Sequence, residues 1–169
     1  IDADLYFTGT GMLVTSAHSK IRGLEVGRMA VAIEDFKAPD GAVVTVNGRI
    51  AGGLQETLDV LADSKAPRFV SLVPTGLRAA GDGVLTLDLR IPARAPKTIA
   101  IAGFYRFLNS SVEFPLRAIR IDDIQGGMEF SESGPRTGKL NARLFGGDAV
   151  LEAVPDVAQA GAVRIEAHG

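Results

Sequence analysis

Residues 85–91 alternate strictly between apolar and polar side chains, and this pattern limits the fold more than any other feature of the chain. In an extended strand Leu85, Leu87 and Leu89 would share one face, while Thr86 and Asp88 would share the other. A helix would not separate the two sets, because its period is 3.6 residues rather than 2. The segment therefore predicts a half-buried β-strand with one apolar face and one polar face.

The same two-residue period recurs along the chain and predicts roughly ten short strands. Turns are expected between them, because glycine, asparagine and aspartate accept positive φ angles and proline fixes φ. Strands joined so closely pair antiparallel, as a meander. The expected turns lie at residues 39–41, 81–83, 109–111, 126–127, 133–135 and 146–148.

One segment has helical rather than strand periodicity. Leu54, Leu58 and Leu61 follow one another at helical spacing, and Glu56 would lie in the first turn, where an acidic side chain is favourable. We expect a single short amphipathic helix over residues 54–63. Its leucine stripe is too narrow to cover the apolar face of a ten-stranded sheet. Alternation alone leaves open a sandwich, a closed sheet and an open groove.

Charge and composition exclude several classes of partner. The chain has 18 basic and 20 acidic residues, a net charge of −2, and its basic residues are scattered singly. We therefore expect no nucleic-acid partner and no electrostatic docking on anionic lipid. The longest uncharged stretch, residues 5–17, is shorter than the ~20 apolar residues of a membrane-spanning helix. We expect the chain to be an internal segment of a longer protein.

No constellation of catalytic or metal-binding residues is visible. Cysteine is absent, so disulfides and zinc–thiolate sites are excluded. The only histidines, His18 and His168, are far apart in sequence. Asp122 and Asp123 are adjacent, so in a strand they would point to opposite faces and could not act as an acid–base pair. We expect no enzymatic activity, no cofactor and no metal site.

Two stretches resemble one known family. The first runs from residues 35–39 (DFKAP) through residues 44–48 (VTVNG) to the expected helix. The second joins residues 124–134 (IQGGMEFSESG) to residues 140–147 (LNARLFGG). In this order they resemble the YhdP branch of the AsmA-like proteins of Gram-negative bacteria. Some family leucines are replaced or shifted here, and the turn after residue 39 is wider.

The resemblance implies a fold and a role. The fold would be mainly β, an antiparallel meander forming a curved, groove-like (taco-shaped) sheet with one short α-helix. Residues 1–169 would be a single all-β segment of a longer repetitive protein, a periplasmic segment of an inner-membrane-anchored protein. The family is linked to phospholipid transport toward the outer membrane and has no catalytic residues to transfer.

Apolar rows on such a sheet would bind phospholipid acyl chains, because each buried CH₂ contributes about 0.8 kcal/mol without directional demands. Other envelope proteins are further candidate partners. Two alternatives remain at this point: a β-sandwich scaffold or adhesin module, and a chaperone-like trough for outer-membrane protein assembly. The candidate groove-lining residues are Val44, Val46, Leu85, Leu87, Leu89, Ile99, Ile101, Val112, Phe114, Ile119, Ile121, Met128, Phe130, Leu140 and Leu144.

Overall fold

The computed structural model describes residues 3–63, 76–95, 98–155 and 163–168. Within them lie eleven strands and one α-helix, α1 (Leu54–Asp63). The strands are β1 (Asp4–Thr8), β2 (Gly11–Ser16), β3 (Ser19–Ile21), β4 (Leu24–Ile33), β5 (Val43–Gly53), β6 (Arg78–Pro92), β7 (Ala100–Phe114), β8 (Ile119–Ser131), β9 (Gly134–Leu144), β10 (Gly147–Pro155) and β11 (Val163–His168).

All eleven strands belong to one open, curved antiparallel sheet. Its hydrogen-bonded order is β1-β2-β4-β5-β6-β7-β8-β9-β10-β11, and β3 pairs with β4 beyond the end of β2. Nearly every strand therefore pairs with its sequence neighbour, as the short connections require. The predicted fold class is confirmed, and the single sheet removes the sandwich from the alternatives for this chain.

The helix prediction is confirmed at both ends. α1 begins at Leu54, directly after β5, and has Glu56 in its first turn. The Thr57 hydroxyl donates a hydrogen bond of 2.9 Å to the Gly53 carbonyl, which ties this turn to the end of β5. Because β5 and β6 pair directly, α1 lies against the sheet instead of extending it.

Three of the expected turns were wrong, because they lie inside long strands. Residues 81–83 are within β6, residues 109–111 within β7 and residues 126–127 within β8. β7 contains 15 residues and β8 contains 13, so the short strands expected on either side of residues 109–111 and of residues 126–127 are the two halves of single strands. The turns expected at residues 39–41, 133–135 and 146–148 do fall at or beside connections between strands.

Two of the misplaced turns, at residues 81–83 and 109–111, lie at β-bulges, and a third bulge lies at Asp123 of β8. Gly81 on β6, Asn109 on β7 and Asp123 on β8 have positive φ angles of 86°, 57° and 53°. The pairing register shifts at each of these positions. A bulge adds one residue to a strand and kinks it, so bulges on three adjacent strands give a common bend. Turn-forming residues here bend strands rather than end them.

Aromatic rings fill the space above several strand glycines. The Phe130 ring packs over Gly103 and the Phe104 ring over Gly127, so close that a Cβ atom at either glycine would lie 2.2 Å from the ring. A glycine in a strand interior leaves a gap that a neighbouring aromatic ring can fill. These glycines therefore belong to the packing of the sheet and not to its connections.

The buried core consists of two adjoining clusters. The first joins Leu54 of α1 to Leu85 and Tyr105 on the sheet. The second is centred on Ile124 of β8, with small and aliphatic residues of β9 and β10 around it. Phe107 and Val112 pack against both clusters. The core is therefore a continuous layer along one face of the sheet.

Candidate functional site

The strand register places the expected lining residues on one face of the sheet. Directly paired residues of antiparallel strands point to the same side. One row of such pairs runs from Val46 through Leu89 to Ile101. Fourteen of the fifteen expected residues lie on one face of the sheet, which we call the apolar face. They are Val44, Val46, Leu85, Leu87, Leu89, Ile101, Val112, Phe114, Ile119, Ile121, Met128, Phe130, Leu140 and Leu144.

Ile99 lies one residue outside the strand in which the alternation placed it. The alternation placed it in a strand with Ile101, but β7 begins only at Ala100. Ile99 is half-buried in the connection that precedes β7, where Thr98 donates a backbone hydrogen bond to Ala95. Because Ile99 is outside β7, no strand pairing shows which face of the sheet its side chain is on.

One row crosses seven strands without interruption. From β4 to β10 it includes Val26, Leu85, Tyr105 and Ala153. In the register of β1 to β10, no position on this face carries a charged side chain. A charge without a partner would be costly in such surroundings.

The opposite, polar face carries the charges of the strands. Thr86 and Asp88 are exposed there, as predicted. Lys139 on β9 and Glu152 on β10 form a cross-strand ion pair of 3.0 Å. The hydrogen bond from Lys139 lowers the pKa of the Glu152 carboxyl from its ordinary value. The two faces of the sheet therefore differ sharply in polarity.

Burial on the apolar face is incomplete. Only Leu85 and Ile101 among the expected lining residues are buried, with exposed fractions of 2% and 3%. The other residues of that set are half-buried. Helix α1 contacts β5 and β6 and packs with Tyr105 on β7 and Phe130 on β8, whereas the second core cluster, around Ile124 and Leu151, contains no residue of the helix.

α1 makes polar contacts at both ends. The Ala79 backbone N–H at the start of β6 donates a hydrogen bond of 2.8 Å to the Gln55 side-chain oxygen. At the other end Arg22 and Asp63 form an exposed ion pair. The helix is therefore fixed above the apolar face near one end of the strands.

Two apolar cavities lie on this face. The helix-side cavity, about 130 Å³, lies between α1 and the sheet and is lined by Leu58, Leu85 and Tyr105 among others. The strand-side cavity, about 160 Å³, lies over β8 to β10 and is lined by residues including Leu140. Both cavities border Phe107 and Met128, so they adjoin. Together they form an apolar space along the direction in which strands are stacked.

Several lining residues were missing from the sequence prediction. Tyr105 and Phe107 continue the alternation of Ile101, but the expected turn after them hid this signal. Ile124 follows Ile121 by three residues, because the bulge at Asp123 shifts the alternation. A search that allows one extra residue within a strand would have found all three.

Tyr105 places a polar group, its phenol hydroxyl, on the apolar face. Its side chain is 6% exposed, its hydroxyl oxygen is enclosed, and the Thr57 hydroxyl lies beside it. Burial raises the pKa of Tyr105 to about 12; the nearby Thr57 hydroxyl opposes this rise and the Asp82 carboxylate adds to it. The phenol is therefore a neutral hydrogen-bond donor at physiological pH.

Within the described part of the chain, no three potential ligands among His, Asp and Glu lie together as a metal site would require. Among the same residues, no helix is long and apolar enough to cross a membrane.

Comparison with known families agrees with this geometry. Residues 1–169 match the family described as YhdP protein along their whole length. The chain belongs to the YhdP protein family. This membership confirms the resemblance seen in the motifs and makes the chain part of an AsmA-like bacterial envelope protein. Neither a curated protein nor a solved structure matches the chain. The YhdP family assignment thus rests on the family match, and the open curved sheet agrees with it.

Proposed function

We propose that this chain is a non-enzymatic, lipid-binding segment of a periplasm-spanning conduit that carries phospholipid between the inner and outer membranes. Residues 1–169 would form a single all-β segment of a longer, repetitive protein that is anchored in the inner membrane elsewhere. Phospholipid acyl chains would be its ligands and other envelope proteins its partners, without nucleic acid, metal or cofactor.

The observation that carries this proposal is the uncharged apolar face that crosses the strands from β1 to β10. A lipid that leaves a bilayer exposes its tails to water at about 0.8 kcal/mol per CH₂. A half-buried apolar face can replace the lost hydrocarbon contacts. Because these contacts are non-directional, an acyl chain can move along the face without breaking specific bonds.

Family membership supports the same role. YhdP family proteins belong to the bacterial envelope, where a conduit for lipid must cross an aqueous compartment. The two adjoining cavities on the apolar face provide space that no described side chain fills. The direction of this space is across the strands, which is also the direction in which further strands would extend a longer sheet.

The test compares the two faces of the same strands. A photo-crosslinking residue at Leu87 or Leu140 should capture phospholipid in bacterial cells, because both side chains lie on the apolar face. The neighbouring positions Thr86 and Lys139 are matched controls on the polar face and should capture none. Native mass spectrometry of the gently purified chain should also detect bound phospholipid.

Three outcomes would contradict the proposal. Equal capture by both faces would indicate non-specific adhesion. The absence of lipid from both experiments would show that the apolar face has another occupant. Crosslinks to polypeptide instead of lipid at Leu87 and Leu140 would favour the chaperone-like trough.

A further inference from the structure

The turns of two neighbouring hairpins carry the two most exposed large apolar side chains among the described residues. Leu116 lies in the 3₁₀ turn Pro115–Arg117 between β7 and β8 and is 87% exposed. Phe145 lies in the turn between β9 and β10 and is 83% exposed. Because Ile121 on β8 pairs with Leu144 on β9, both turns lie beyond the same end of the sheet. We call Leu116 and Phe145 the apolar tips.

The backbone at Phe145 makes its exposure unusual. Phe145 and Gly146 are the two central residues of their turn and have positive φ angles of 52° and 84°, as in a type I′ hairpin turn. Such turns favour Asn-Gly, whereas a bulky side chain at positive φ strains the backbone. Phe145 is also not among the residues packed against either core cluster. Neither the turn nor the core therefore explains the phenylalanine.

The apolar tips continue the apolar face to its rim. Phe114, Ile119 and Leu144 are half-buried at the strand ends next to the two turns. One row further from the turns, Val112 and Ile121 line the strand-side cavity. Apolar side chains therefore follow one another from this cavity to the exposed tips.

The charges near the tips are paired within the chain. Arg120 forms an ion pair with Asp122, and Arg143 lies within 4.0 Å of carboxylate oxygens of Asp123 and Asp148. Opposite charges so close offset one another at a distance, so charge favours neither an anionic nor a cationic partner. Two side chains also present far less surface than the ~800 Å² that each partner contributes to a stable protein interface. Small apolar protrusions of this kind fit a lipid layer, which needs no shaped counterpart.

We infer that Leu116 and Phe145 insert together into the acyl-chain region of a phospholipid layer and hold this rim of the sheet against it. The contact is apolar, so it requires no anionic lipid and persists in salt. Insertion brings the strand-side cavity next to the layer, because Ile121 lines that cavity close to the tips. The inference goes beyond the proposed function, since the tips can insert whether or not the apolar face carries lipid.

The chain contains no tryptophan, so one introduced tryptophan reports on a single position. Phe145→Trp and Leu116→Trp place this reporter at the tips. Phe36→Trp is the matched control, because Phe36 is also exposed but lies between β4 and β5, at the opposite end of the strands. With phosphatidylcholine vesicles the emission of both tip reporters should shift to shorter wavelength, and acyl-chain bromination of the lipid should quench it. The emission of Phe36→Trp should stay unchanged.

A second measurement removes the tips without harm to the fold. In the double variant Leu116→Ser, Phe145→Asn, the second substitution gives the turn its favoured Asn-Gly sequence, so the chain should unfold at the same or a higher temperature. Its partition onto phosphatidylcholine vesicles should fall at least about tenfold, because the inserted apolar area is lost. Phe36→Ser should partition as the wild type does.

Several outcomes would overturn the inference. Equal shifts and equal quenching at Phe36 and at the tips would indicate adsorption of the whole surface. Unchanged partition of the double variant would show that the tips do not carry the contact. Binding only to vesicles that contain phosphatidylglycerol, abolished by high salt, would make the contact electrostatic. Insertion of the tips without lipid on the apolar face would support the inference and contradict the proposed function alone.

Discussion

Replacement of Leu54 by alanine tests whether α1 is packed firmly on the sheet. Leu54 is 4% exposed and contacts Leu85 and Tyr105 in the first core cluster. The substitution removes three buried carbons, which corresponds to about 2.4 kcal/mol at about 0.8 kcal/mol each. A residual cavity adds to this, since buried Leu→Ala changes range over about 2–5 kcal/mol. We expect the free energy of unfolding to fall by about 3 kcal/mol.

Helix propensity does not complicate this measurement, because alanine forms helices at least as well as leucine. Urea unfolding followed by circular dichroism should show a lower midpoint with an unchanged slope. In thermal unfolding the midpoint should fall by about 6–12 °C, at about 2–4 °C per kcal/mol for a chain of this size.

The control is Val60→Ala on the same helix. Val60 is half-buried and is not among the residues packed against the first cluster, so its loss should cost less than about 1 kcal/mol. Equal destabilisation by the two substitutions would refute the reasoning. The helix would then be tethered loosely above the sheet, and the cavity beneath it would not have the walls described here.

Three further predictions concern single positions. Because burial raises the pKa of Tyr105 to about 12 from 10.0, its neutral form favours the fold below pH 10. Relative to Tyr105→Phe, the wild type should lose about 2–3 kcal/mol of stability as pH rises from 10 to 12, and parallel pH curves would contradict this. Gly126→Ala should lower the free energy of unfolding by more than about 1 kcal/mol, because the φ angle is +127° and the new Cβ atom would lie 2.5 Å from a backbone oxygen. Gly127→Ala should cost less, because it displaces only the partly exposed Phe104 ring. Chemical denaturation should show the larger loss for Gly126→Ala. Asp63→Asn should change the free energy of unfolding by less than about 1 kcal/mol, because the ion pair of Asp63 with Arg22 is exposed. A larger loss in chemical denaturation that does not depend on salt would contradict this and show that the pair holds α1.

Much of the apolar face could be predicted because alternation is a local property. The strands around Leu87 and Val46 and the helix at Leu54 each carry their pattern within a few residues, and the structure has them where the pattern indicated. β1 to β3 were not predicted, because their glycine, serine and threonine residues blur the alternation. Their place in the sheet comes from pairing with β4 and not from their own sequence.

The prediction of strands from local sequence failed at the bulges. Asn109 and Asp123 are residues that often form turns, and only the paired neighbouring strands show that the chain continues through them. The side-chain face changes its phase at each bulge, so Ile124 was assigned to no row. Tyr105 continues the alternation of Ile101 and was overlooked because a turn was expected soon after it. A single sequence holds no information on which of two glycine-containing segments is a turn and which is a bend, because both require the same φ angles.

The common line of bulges has a consequence for how such a sheet can change in evolution. On β6, β7 and β8 the bend lies at a common position along the strands, so it limits the width of the apolar face there, whereas each added strand extends that face by about 4.8 Å. The nine spacings from β1 to β11 span roughly 43 Å on this basis. Width and length are therefore independent variables. Duplication of a hairpin can therefore lengthen the sheet while the width of the apolar face along the strands stays the same.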